Sequence, residues 1–221
     1  YDSLADDNSH VIIVFSEGIY TDYDGDEASG AVNPPDFQIS PVSLEAIIQN
    51  ITLPNNMLLS GGEDTLKFLI DLNPASGGET MTISPASGAS IFKWNGVPMQ
   101  ANQQITYILN DVMPPVLTFD PANGETGISP DTDILLQYNE AIRYKDDSAI
   151  SNENVDGLIT LRYNDDQDPI AFDATISGDN RTITVSPDSE MVELREVYVA
   201  IIGDTLEDFN DNVISSGASA V

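Results

Sequence analysis

The chain has 221 residues, and its 37 Asp and Glu against seven Lys and Arg give a formal net charge of −30; such a surface repels anionic membranes and nucleic acid, whose phosphates need a basic patch. There is no cysteine, which excludes disulfides, thiol catalysis and Cys-ligated zinc. Apolar runs such as Val11–Phe15 fall far short of the ~20 residues that span a bilayer.

Strand-like segments follow one another along the chain. They are Val11–Ser16, Thr65–Leu72, Thr80–Ser84, Gln104–Leu109, Val116–Phe119, Ile134–Tyr138, Leu158–Tyr163, Arg181–Ser186 and Val197–Ile202. Most are short, β-branched and bounded by Gly, Pro, Asn or Asp. TMTIS and TITVS alternate polar with apolar, the period of a half-buried strand. Ser43–Gln49 is the best prospect for a turn of helix. Pro114-Pro115 falls between the strand ending at Leu109 and the one opening at Val116, and consecutive prolines favour an extended connection. The expected organisation is therefore two modules of ~100 residues each, 1–112 and 113–221. A chain that opens in mid-pattern at Tyr1-Asp2-Ser3 reads as part of something longer.

The halves repeat. FSEGIY (Phe15–Tyr20) matches YNEAIRY (Tyr138–Tyr144), TMTISP (Thr80–Pro85) matches TITVSP (Thr182–Pro187), and FKWNGVPM (Phe92–Met99) matches EDFNDNVI (Glu207–Ile214). Glu17 to Thr80 spans 63 residues and Glu140 to Thr182 spans 42, so about twenty extra residues are expected in the first half, around Ala46–Gly62.

The second half opens PPVLTFDPANGETGISPDTDILLQYNEAI (Pro114–Ile142) and continues NRTITVSPDSEMVELREVYVAIIGDTLEDFNDN (Asn180–Asn212). It closely resembles the bacterial Ig-like domains of S-layer and other secreted surface proteins. The first half, VIIVFSEGIYT to GGETMTISP, resembles a longer sister repeat of large secreted proteins. The resemblance implies an all-β fold of two tandem immunoglobulin-like sandwiches at a cell surface or outside the cell. It also implies use as linker, stalk or adhesive spacer. Two departures stand out: the closing Gly-Asn of the pattern becomes Asn95-Gly96 and Asp211-Asn212, and Phe-Ser-Glu becomes Tyr-Asn-Glu in the second half.

Acids supply the one local constellation. Asp22, Asp24 and Asp26 alternate as the first three ligands of an EF-hand do, but Gly25 sits at the fourth place of the loop and Asn33 at the twelfth, so the loop is no EF-hand. An irregular Ca²⁺ site on Asp22, Asp24 and Asp26, completed by Glu17 or Asp36, is the expected metal site; a solvated acidic hairpin tip is the alternative. Glu17 and Glu140 each end an apolar strand, where a carboxylate accepts loop N–H groups or ligates a cation. Asp165–Asp168 reads as a polar turn. Asp208–Asn212 (DFNDN) is similar to the calcium-binding linker motif of cadherins but reads first as an Asx turn.

No catalytic residue is assigned. His10 is the only histidine, with no nucleophile tied to it by a motif, and zinc would need a His or Cys cluster. The sole tryptophan, Trp94, is expected to pack in core or turn; exposed on one rim with Tyr20 and Tyr23, it would mark a binding site for glycan or protein. The expectation is thus a non-enzymatic spacer or adhesion module of a large secreted or cell-surface protein. Its partners are neighbouring domains of the same polypeptide, with no nucleic acid and no membrane insertion; the alternative is a module that binds a glycan or a protein ligand and is attached to an extracellular enzyme.

Overall fold

A computed structural model describes residues 2–40 and 44–221. The fold is all-β and divides into two compact units, Tyr1–Met113 and Pro114–Val221.

Seven of the ten strands among the described residues of the first unit build its two main sheets: β1 Ser3–Leu4, β2 His10–Tyr20, β3 Phe37–Ser40, β4 Ile47–Thr52, β5 Glu63–Asp71, β6 Thr80–Pro85 and β7 Ile105–Ile108. They form two antiparallel sheets, ordered β1-β2-β5-β4 and β7-β6-β3. One sheet points Val11, Ile13, Ile51, Leu66 and Phe68 inward, and the other points Phe37, Met81, Ile83 and Tyr107 at them. Phe68 and Phe37 meet edge to face across this core, with ring centroids 4.8 Å apart; such a pair adds about 1 kcal/mol beyond the area it buries.

The second unit repeats the plan with β8 Leu117–Asp120, β9 Ile134–Tyr138, β10 Ile159–Tyr163, β11 Phe172–Ile176, β12 Thr182–Pro187, β13 Val197–Ile201 and β14 Ala218–Ala220. Its sheets run β8-β9-β12-β11 and β10-β13-β14, so each strand has its counterpart seven places earlier. Four strands facing three in this order is the plan of the constant-type immunoglobulin sandwich. The core joins Leu136, Ile183 and Val185 of one sheet to Leu161, Val199 and Ile201 of the other.

This topology corrects two readings of the sequence. TMTISP is β6, in the three-stranded sheet, whereas TITVSP is β12, in the four-stranded one; the counterpart of TITVSP is β5. Any half-buried strand closed by proline shows the same alternation, so the match identified a kind of strand rather than a place in the fold. Correct pairing shrinks the expected insertion. Ile51 faces Phe68 in the first unit and Ala174 faces Val185 in the second, and the path between partners is only six residues longer in the first. Those residues lie in the loop from Leu53 to Gly62, where Met57 and Leu58 are exposed.

The second correction is the helix. Ser43 lies outside the described residues, and Ile47–Thr52 is strand β4. Its pairing with β5 skips a residue between Ile48 and Asn50. That irregularity lets Ile48 and Ile51, three apart, both reach the core, and a bulged strand so imitates the spacing of a helix.

The sequence SGGE occurs twice, at Ser60–Glu63 and Ser76–Glu79, each time leading into a strand. Both copies fold alike. The serine N–H and hydroxyl donate to one glutamate oxygen, at 2.6 and 2.8 Å in the first copy and 3.0 and 2.8 Å in the second. The four glycines have φ between 84 and 99°, which side-chain-bearing residues rarely adopt. For Glu79 the Ser76 N–H is the main cause holding the carboxyl below its ordinary range, against the opposing effect of burial. For Glu63 burial is the largest single effect and raises the value, but the donors of Ser60 and Gly61 together outweigh it.

Candidate functional site

The chemistry concentrates on a hairpin that each unit places between its last two long strands. In the first unit Phe92–Lys93 pairs with Ile19–Tyr20 at the end of β2. In the second, Leu206–Glu207 pairs with Arg143–Tyr144 just beyond β9. Phe92 bridges to Pro98, and Glu207 bridges to Val213. Met99 donates to the Ile91 carbonyl at 2.8 Å, and Ile214 to that of Leu206 at 2.9 Å. FKWNGVPM and EDFNDNVI are therefore superposable residue for residue, and Trp94 corresponds to Phe209. Both rings are exposed at the tip, to 52% and 58%.

In the second unit this hairpin carries its own cation. The Arg143 guanidinium lies 5.4 Å from the centre of the Phe209 ring. Its Nε donates to Glu207 at 3.1 Å, and its Nη2 pairs with Asp147 at 2.7 Å and with Asp211. Glu207 is 4% exposed, so Arg143 neutralises a charge that would be costly to bury alone. Asp208, 1% exposed, organises the tip: Oδ1 accepts from the N–H groups of Asn210 at 2.7 Å and Asn212 at 2.9 Å. This is the Asx-type turn expected for DFNDN.

In the first unit the place of Arg143 is taken by Tyr20, whose ring lies 5.7 Å from that of Trp94. Tyr23 packs on Phe92 at 6.1 Å and over Gly96, where a Cβ would come within 2.2 Å of the tyrosine ring. The Ala28 N–H donates to the Trp94 carbonyl at 3.1 Å, which fastens the acidic loop from Asp22 to Glu27 to the hairpin. Tyr20, Tyr23 and Trp94 thus do share one rim, and Trp94 is not core.

The five acids expected to hold Ca²⁺ are placed as follows. Glu17 pairs with Lys93 Nζ at 2.6 Å. Asp22 accepts from the N–H of Tyr23 and Asp24 from that of Asp26, at 2.8 and 3.1 Å. Asp36 accepts from the Thr21 hydroxyl at 2.9 Å and from the Asn33 N–H at 2.8 Å. Among the described residues, no three of the five bring ligand atoms within 4.8 Å of one another. In the second unit the position of Glu17 is Glu140 and that of Lys93 is Asp208, and these two carboxylates lie within 4.8 Å.

Asp165–Asp168 is a turn, with Gln167 at φ 65°. Asp165 and Asp166 grip Arg195, which stacks on Tyr163 at 3.8 Å. His10 begins β2 and shares a 3.1 Å hydrogen bond with the Ser9 hydroxyl. Arg143 and Phe209 were not singled out in the sequence because they stand 66 residues apart and only the pairing of Leu206–Glu207 with Arg143–Tyr144 brings them together.

No helix among the described residues is long and apolar enough to cross a membrane. No curated protein matches the chain. The family model described as Bacterial Ig-like domain matches residues 110–220. That match takes in all of β8 to β14 and both sheets of the second sandwich, and it covers half the chain, which therefore belongs to the bacterial Ig-like domain family.

Proposed function

We propose that this chain is a non-catalytic spacer or adhesion module of a larger secreted or cell-surface protein, with neighbouring domains of the same polypeptide as its partners. The family match at residues 110–220 carries the reading, since bacterial Ig-like domains are generally non-catalytic and typically occur in surface proteins. The first unit is a divergent tandem copy of the second; the shared strand order and the superposable hairpins support this. A spacer acts through its length and stiffness rather than through a particular side chain. Replacing 1–221 inside the full-length polypeptide by an unrelated pair of Ig-like domains should leave surface display and activity of the parent intact. Loss of either would overturn the reading. A second reading, that the module binds a ligand, is favoured by one observation, the exposed Trp94 at the tip of the first hairpin.

A further inference from the structure

We infer that the Trp94 hairpin of the first unit binds a guanidinium or ammonium group presented by a basic partner protein. The inference rests on the ligand-binding reading and names its chemistry. The second unit supplies the template, because there the same hairpin holds Arg143 against the Phe209 ring, with Asp147 and Asp211 beside it. In the first unit the aromatic tip remains and the internal cation does not; Phe92 and Gly96 take the places of Glu207 and Asp211, and the acids come instead from the loop between Asp22 and Glu27. Tyr20 stands in place of Arg143, and the short turn that closes Tyr144 on Ser148 is replaced by the longer acidic hairpin that closes Thr21 on Gly30.

All four arginines of the chain lie in the second unit, and three of them stack on aromatic rings there. The first unit has two cations, both engaged in other contacts: Lys93 with Glu17, and Lys67 with Asn56. Among the described residues, no cationic side chain covers the Trp94 ring. The loop that Ala28 fastens to the hairpin carries Asp22, Asp24, Asp26 and Glu27, all exposed. Ring and carboxylates together make a site for a cation, which is attracted to the ring face and to the anionic rim at once. A chain of net charge −30 draws basic partners by the same field.

Trp94 is also the reporter, being the only tryptophan. The full chain would be titrated at fixed ionic strength with a hexa-arginine peptide and, separately, with neutral cellohexaose, following tryptophan emission and, for variants, calorimetry. The expected result is a change of Trp94 emission with the peptide and not with the sugar. Trp94→Ala should weaken peptide binding about fivefold, and Trp94→Phe, which keeps a ring, by less. Equal peptide affinity of the wild type and Trp94→Ala would overturn the inference by reducing the interaction to the general acidic field. A response to the sugar alone would overturn it in favour of a glycan site and leave the ligand-binding reading standing. No response to either probe would remove both.

Discussion

Gly96 and Asp211 occupy the same point of the same hairpin and adopt nearly the same left-handed backbone, with φ of 75° and 68°. They differ in what lies above them. Tyr23 closes over Gly96, whereas Asp211 turns its carboxylate to Arg143. Gly96→Ala should therefore cost the first unit about 2 kcal/mol or more, from backbone strain and the displaced tyrosine. Asp211→Gly should cost the second unit less than about 1 kcal/mol, since it loses one exposed ion-pair partner. Denaturant unfolding followed by Trp94 emission for the first, and by far-ultraviolet circular dichroism for the second, checks both.

Among the described residues, Arg143 is the only cation paired with the buried Glu207. Arg143→Ala should destabilise the second unit by about 3 kcal/mol, because it strands that carboxylate. Asp147→Ala removes an exposed partner and should cost well under 1 kcal/mol. Similar losses for the two variants would mean that Glu207 finds other compensation.

Acid should loosen the first unit through its two SGGE loops. Glu63 and Glu79 titrate below the ordinary 4.5 in the folded chain, so the unfolded chain takes up protons first as the pH falls. Their contribution is complete above pH 4.5 and is lost as the pH drops through their lower folded values. Glu79→Gln cannot titrate, so its stability should fall less steeply on acidification from pH 5. Parallel curves for variant and wild type would refute this.

For calcium, the geometry of the first unit predicts equal thermal midpoints by Trp94 emission in EDTA and in millimolar Ca²⁺, at constant ionic strength. Glu17 is spent on Lys93 and Asp36 on Thr21 and Asn33, and breaking those contacts opposes gathering a shell of six or more oxygens. A rise of the midpoint that disappears in Asp24→Asn/Asp26→Asn would instead place an ion in this loop. A rise confined to the second unit would direct attention to Glu140 and Asp208.

The strands were legible because burial on one face writes itself into the sequence with a period of two, and β5, β9 and β12 all carry that mark. What stayed hidden was identity among strands: TMTISP and TITVSP look alike and occupy different sheets. The hairpin match succeeded because a turn constrains individual positions, here an aromatic tip followed two residues later by Gly96 or Asp211. Ile47–Thr52 misled because its pairing irregularity shifts the phase of the side chains. The rim formed by Tyr20, Tyr23 and Trp94 could be named in advance but not assembled, since only the pairing of Phe92–Lys93 with the end of β2 brings Trp94 to Tyr20.

The duplicated SGGE loop has a use outside this molecule. Four residues supply their own donors, acceptor and backbone freedom, and they do so ahead of two strands that belong to different sheets. A part that works in two settings is transplantable. Placed before the opening strand of a designed sandwich, it would ask of the host one carbonyl for its second glycine, the part that Ile19 plays for Gly62 and Leu109 for Gly78.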